Sequence, residues 1–244
     1  MRRVAVITGG TRGIGWACAQ AFARGGWTAL LLWNSREETA REREAALRGE
    51  GLDAAALRCD VSDAAQVRQV FAEIERRWHH VDALVNCAGI AHIGLFQDTD
   101  EETWRRIMAV NLDGAYRCAR AVLPGMISRR SGSIIQIASM WGEVGASCEV
   151  AYSASKAGLI GLTKALAKEV GPSGVRVNCV SPGVIDTEMN AELSPEALRE
   201  LAEETPLGRI GTPEDVARAV LFLAGEDSAF ITGQVIGVSG GLVV

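Results

Sequence analysis

Tyr152 and Lys156 stand one helical turn apart in Tyr152-Ser153-Ala154-Ser155-Lys156, and together they can move a proton. Residues at that spacing project from one face of a helix, so the phenol and the ammonium point the same way. A free phenol has a pKa of about 10 and exchanges protons poorly at neutral pH. A cation beside it favours the phenolate. The pair is therefore expected to have a lowered tyrosine pKa and to act as a tuned acid or base toward a carbonyl or an alcohol. The same spacing also fits any exposed helix, and the start of the chain supplies the missing context.

Arg3-Val4-Ala5-Val6-Ile7 is a short β-branched run that reads as a buried strand. Thr8-Gly9-Gly10-Thr11-Arg12-Gly13-Ile14-Gly15 follows at once, and an apolar helix containing Ala17, Ala19, Ala21, Phe22 and Ala23 follows that. Strand, glycine turn and helix form the setting of a dinucleotide site. The glycines let backbone approach a pyrophosphate, and the helix N-terminus offers free N–H groups and a positive dipole end. A second strand, Thr28 to Trp33, ends in Asn34-Ser35-Arg36. An acidic residue there would bind the ribose hydroxyls of NAD and repel a 2′-phosphate. Its place is taken by groups that donate to phosphate, with Arg12 as a second cation, so NADP(H) is expected over NAD(H).

With these motifs in order, the chain resembles the short-chain dehydrogenase/reductase family over essentially its whole length. The resemblance runs through the glycine turn, Asp60-Val61, Asn86-Cys87-Ala88-Gly89, Asn111, Ser139, Tyr152, Lys156 and Pro182-Gly183. It implies that Gly9, Thr11, Arg12, Gly13, Ile14 and Gly15 hold the cofactor phosphates. Asp60 and Val61 would contact adenine, and Asn86, Ala88 and Gly89 would lie beside the cofactor. Asn111 would hold a water linking Lys156 to solvent. Ser139 would donate to the substrate carbonyl, and Tyr152 would exchange the proton. Lys156 would bind the nicotinamide ribose, and Ile185 and Thr187 would hold the carboxamide. Cys87 departs from the commoner alanine or asparagine, with no loss of function expected. The implied chemistry is reversible hydride transfer between a ketone and a secondary alcohol, with no metal. A hydroxyl and a poised phenol near the oxygen stabilise the charge that develops there. The presence of Ser139, Tyr152 and Lys156 favours an enzyme over a non-catalytic cofactor-binding sensor.

Composition fits one domain. The chain has 244 residues, 48% of them hydrophobic, and a net charge of −5, which leaves no basic footprint for nucleic acid. Cys18, Cys59, Cys87, Cys118, Cys148 and Cys179 are scattered without zinc spacing and read as reduced, mostly buried thiols. A strand begins almost at the N-terminus and no apolar run reaches the roughly 20 residues of a membrane span, so a cytoplasmic location is expected.

Strands are expected near 3–7, 28–33, 53–58, 81–85, 132–137, 174–180 and 234–238. Helices are expected near 13–25, 37–50, 63–78, 101–129, 150–171 and 213–225. This alternation predicts an α/β, single-domain Rossmann fold over 1–244, with a seven-stranded, mainly parallel sheet and helices on both faces. Only 187–212 breaks the rhythm. In the family that stretch is a lid over the substrate, here with a helix running to about Glu204.

Substrate is less legible. Tyr152 to Glu169 and Phe230 to Gln234 resemble the bacterial 3-oxoacyl-[acyl-carrier-protein] reductase branch, which presents cations to an acidic carrier. Arg129 and Arg130 fall where one such arginine is expected, whereas Ser173 stands where a second is common. The segment Met140 to Val150 resembles instead a Firmicutes-type branch that reduces a 5-aminopentanone group on elongation factor P. There Trp141 would wall the pocket and Glu143 or Glu149 would meet a cationic substrate. A broad secondary-alcohol or steroid dehydrogenase is a further alternative. The apolar C-terminus through Val235, Ile236, Val238, Leu242, Val243 and Val244 predicts a homotetramer with perpendicular two-fold axes, with a dimer as the simpler form.

Overall fold

The β-branched run at the N-terminus becomes β1 (Val4–Thr8), buried along its whole length in this computed structural model, which describes residues 2–191 and 193–243. Met1, Glu192 and Val244, which belong to the expected domain, lid and tail, lie outside the described residues. The other strands are β2 (Thr28–Trp33), β3 (Ala54–Arg58), β4 (Ala83–Asn86), β5 (Gly132–Ile137), β6 (Val175–Pro182) and β7 (Val235–Val238). They form one seven-stranded sheet in the order β3-β2-β1-β4-β5-β6-β7, with every pairing parallel.

Two apolar layers explain why these strands read as continuous hydrophobic runs. Ala5, Ile7, Leu31, Val85 and Ile135 face one cluster, while Val4, Val6, Leu30, Leu84 and Ile134 face the other. Alternate side chains leave opposite faces of a strand, so a strand covered on both faces needs apolar residues at every position. Helices α1 (Gly13–Arg24), α2 (Glu37–Gly49) and α9 (Pro213–Ala224) cover the first face. Helices α3 (Ala64–Trp78), α5 (Gly114–Arg129) and α7 (Val150–Val170) cover the second. The remaining helices are α4 (Glu101–Met108), the single turn α6 (Trp141–Val144) and α8 (Pro195–Glu204).

Strand order reverses between β1 and β4, and a crevice opens at the carboxyl ends of the strands where such a reversal occurs. Thr8 ties the two halves together there. Its Oγ1 accepts from the backbone N–H groups of Cys87 and Ala88 at 2.9 and 3.0 Å.

The expected 101–129 helix is corrected. It is α4, then a π-helical turn at Ala109–Asp113, then α5. A wider turn inserted into a helix shifts the face on which later side chains emerge, and hydrophobic periodicity does not register one added residue. β6 runs two residues beyond its expected end, to Pro182.

Candidate active site

The glycine turn is shaped for backbone contact. Gly9 has φ +64°, and a Cβ on it would stand 3.1 Å from the Ala88 Cα. A Cβ on Gly15 would run into the Gly9 carbonyl oxygen, so only glycine lets α1 start this close to β1. Arg12 precedes α1 without a side-chain cap, and no acidic residue lies in the first turn. The first N–H groups are therefore left to an outside anion. Thr11 is buried beside them and Ile14 packs on the core. Asn34, Ser35 and Arg36 fill the short connection from β2 to α2.

Arg12 and Arg36, on separate connections, converge. Arg36 Nη1 lies 2.9 Å and Arg12 Nη1 3.3 Å from one Oε2 of Glu188. Glu188 opens a short 3-10 turn, Glu188–Asn190, at the start of the expected lid. Its neighbour Thr187 rests against the glycine turn, with Cγ2 3.4 Å from where a Gly13 Cβ would stand. Asn190 Nδ2 donates to the Ile185 carbonyl at 2.7 Å. Ile185 itself is buried, with its side chain packed in the core and its backbone bridged to Gly211. Pro182 ends β6, and Gly183 passes so close to Ser239 that a Cβ would approach its Cα to 2.8 Å.

Of the two residues expected to contact adenine, Asp60 Oδ1 accepts from Ser62 N and Oγ at 2.8 and 2.6 Å, and Val61 packs on Gly114. Asn86 Nδ2 donates to the Ala115 carbonyl at 3.3 Å, while its buried Oδ1 has no partner. Gly89 leaves room for two groups: a Cβ there would lie 3.4 Å from Lys156 Nζ and 3.5 Å from Asn111 Oδ1.

Asn111 sits in the π-helical turn and is fully buried. Its carboxamide donates to the Ile90 carbonyl and accepts from the Ile90 N–H, both at 2.9 Å, and donates to Ser155 Oγ at 3.0 Å. Ser139 follows β5, and Tyr152 and Lys156 lie on one face of α7; all three are buried. Lys156 Nζ donates to the Ile137 carbonyl at 2.7 Å and lies 5.5 Å from the centre of the Tyr152 ring.

The expectation of a lowered tyrosine pKa is corrected for the free protein. Burial pushes the Tyr152 phenol up to about 12, opposed by a hydrogen bond with Ser139 and reinforced by the nearby charge of Glu149. Burial brings Lys156 down to about 8. Desolvation disfavours the charged form of each group and is the largest cause of both shifts. The site thus presents a neutral phenol beside a hydroxyl, an arrangement able to donate a proton to a developing alkoxide.

All six cysteines are unpaired, and burial pushes Cys59 and Cys179 up to about 12 and Cys87 up to about 11. Among the described residues, no group of three or more His, Cys, Asp or Glu side chains is placed to hold a metal ion, and no helix is long and apolar enough to cross a membrane.

Some expected residues are not brought to the site. Arg129 and Arg130 end α5, at the amino end of β5, and donate to the carbonyls of Val81 and Pro172 at 2.7 and 3.0 Å. Ser139 lies beyond the other end of that strand, about 20 Å away at the usual rise. Ser173 lies in a 3-10 turn next to β6, also at that far edge. Trp141 is half-buried and its backbone N–H donates to Ser139 Oγ at 3.2 Å. The anchors Thr8 and Ser155 and the carboxylate of Glu188 went unrecognised in the sequence. The only signal for Glu188 was an acid immediately after the expected carboxamide contact. A concavity of about 780 Å³ lies between Glu143-Val144 and Val238–Gly241, with none of Ser139, Tyr152 or Lys156 in its wall.

Residues 9–243 match the family described as enoyl-(acyl carrier protein) reductase. A 3-oxoacyl-[acyl-carrier-protein] reductase of Thermotoga maritima is 42% identical, over 99% of this chain and 98% of its own length. An uncharacterised oxidoreductase of Bacillus subtilis is 38% identical over 99% of both chains. A gluconate 5-dehydrogenase of Burkholderia cenocepacia, crystallised with NADP and tartrate, superimposes with a TM-score of 0.94 at 36% identity. That match covers 98% of this chain and 94% of the dehydrogenase.

Proposed function

Because the chain belongs to the short-chain dehydrogenase/reductase family, we propose that it is an NADPH-dependent carbonyl reductase acting as a 3-oxoacyl-[acyl-carrier-protein] reductase does. The observation that carries this reading is the buried cluster of Ser139, Tyr152 and Lys156 at the switch point of the sheet, beside the glycine turn. The surroundings suit a dinucleotide: α1 has an uncapped N-terminus and two arginines converge nearby, both suited to phosphate, and the buried Asn86 Oδ1 could accept from a ribose hydroxyl. Gly9, Gly13 and Gly15 would let backbone reach the pyrophosphate, and Lys156 would hold the nicotinamide ribose. Asp60 and Val61 would border adenine, and the backbones of Ile185 and Thr187 would border the carboxamide.

NADPH supplies the hydride when bound. Ser139 hydrogen-bonds the substrate carbonyl oxygen, and Tyr152 gives that oxygen its proton as charge develops there. The resulting phenolate is stabilised by the Lys156 ammonium, and Asn111 connects the lysine to solvent. Residues 187–212 would close over the substrate. Comparing kcat/KM for acetoacetyl thioester with NADPH and with NADH tests the reading. Turnover with a clear NADPH preference is expected, and inactivity on every ketone tried would overturn it.

Glu149 favours a second substrate class. Its half-buried carboxylate acts on the Tyr152 phenol, where it would meet a cationic substrate such as an amino-ketone. A higher kcat/KM for an amino-ketone than for an acetoacetyl thioester would select that reading. An acidic carrier approaching this site on the same chain would not reach Arg129 or Arg130. The proposed assembly is a homotetramer formed through the β7 edge and the α5 and α7 faces.

A further inference from the structure

We propose that Glu188 is a specificity-determining residue, an internal anion that occupies the 2′-phosphate subsite and must leave it when NADPH binds. This rests on the NADPH reading of the site. Two guanidinium groups from separate connections, one in the glycine turn and one after β2, point at a single carboxylate oxygen at 3.3 and 2.9 Å. Like charges converge in this way where an anion holds them. A carboxylate offers one negative charge, whereas a phosphate monoester carries up to two and three acceptor oxygens.

The carboxylate is not a casual surface contact of a free chain. Thr187 lies on Gly13 on one side of it, and Asn190 bonds the Ile185 carbonyl on the other. The start of the lid is therefore seated over the glycine turn with Glu188 aimed at both arginines. All three side chains are about half exposed, at 49, 54 and 56%, so each pair is weak and exchangeable. An incoming 2′-phosphate meets Glu188 in its place: the carboxylate either leaves or repels it. A ligand with a 2′-hydroxyl makes no such demand.

The test is a binding titration, independent of turnover. NADPH, NADH, 2′,5′-ADP and 5′-AMP are titrated into the wild-type protein, Glu188→Gln and Arg36→Ala. For Glu188→Gln, NADPH and 2′,5′-ADP are expected to bind about three- to tenfold more tightly, with NADH and 5′-AMP changed by less than about twofold, as removal of two exposed ion pairs predicts. Equal tightening of all four would overturn the proposal, because Glu188 would then merely cover the groove. Unchanged or weakened NADPH binding would also overturn it, provided that Arg36→Ala lowers NADPH affinity and so upholds the cofactor reading. If Arg36→Ala leaves NADPH affinity unchanged, the NADPH reading itself fails, and the proposal with it.

Discussion

At Tyr152 burial and the hydrogen bond with Ser139 pull in opposite directions, and burial wins, leaving a phenol that is neutral below about pH 12. That state suits reduction, in which the phenol gives a proton. Tyr152→Phe removes only the oxygen, so it should fold and bind cofactor normally while kcat falls roughly 10²- to 10⁴-fold. Near-normal turnover in a folded variant would remove Tyr152 from its role. Lys156 makes a second prediction. Its folded value of about 8 lies below the ordinary 10.5, so between those two values the unfolded chain binds the extra proton. Stability then rises with pH across that window: the burial penalty is complete below it and gone above it. Tyr152, raised from 10 to about 12, has the opposite effect, but only above pH 10. Subtracting the urea-unfolding free energy of Lys156→Met from that of the wild type should therefore give a difference that climbs from about pH 8 to about pH 10. A flat difference would mean that the buried amine is not desolvated as described.

Among the elements, the π-helical turn at Ala109–Asp113 does most to assemble the site. It aims the Asn111 carboxamide at Ile90 and Ser155, beside Lys156. Asn111→Ala would leave both polar groups of the Ile90 backbone without this partner. It should destabilise the protein by roughly 1–3 kcal/mol, read from the urea midpoint, and lower kcat as well. The glycine turn gives a different pattern. In Gly15→Ala a methyl group meets the Gly9 carbonyl, forcing α1 away from β1. Cofactor affinity and the thermal midpoint should fall together. A variant with normal affinity would show that the turn has slack the structure does not display.

For the whole molecule, part of the exposed apolar surface lies around the β7 edge and on α5 and α9. Phe230 is fully exposed, Phe222 and Tyr116 are about half exposed, and β7 is an edge strand whose apolar residues are only half covered. The C-terminal tail is less open than its composition predicts. Leu242 and Val243 are half-buried, and the Leu207 N–H bonds the Gly240 carbonyl, clipping the tail onto the 205–207 segment. The edge and Phe230, rather than the tail, are thus the stronger reason to expect assembly. Light scattering should give a tetramer at micromolar concentration, and Phe230→Asp combined with Ile236→Lys should shift it to smaller species. A fully active wild-type monomer would defeat this expectation.

Reading the residues in order was enough to find β1, the glycine turn and α1, and to place Tyr152 and Lys156 on a parallel α/β framework; Ser139 came from the family resemblance. Those features are local: strand and helix periodicity, the conformations open only to glycine, and the one-turn spacing on a helix are properties of neighbouring residues. The family resemblance, carried by motifs in sequence order, was legible for the same reason. Folding decided what depends on distance and solvent. The widened turn at Asn111 adds one residue without altering the apolar pattern around it. Arg129 and Arg130 matched an expected sequence position yet lie at the far edge of the sheet. The phenol of Tyr152 is governed by the water that packing removes, which the helical spacing of a nearby lysine does not report. Arg36 and Glu188 meet across 152 positions of sequence. Only the crossing of the chain at the switch point brings such charges to one spot, because electrostatic contacts follow separation in space rather than order along the backbone.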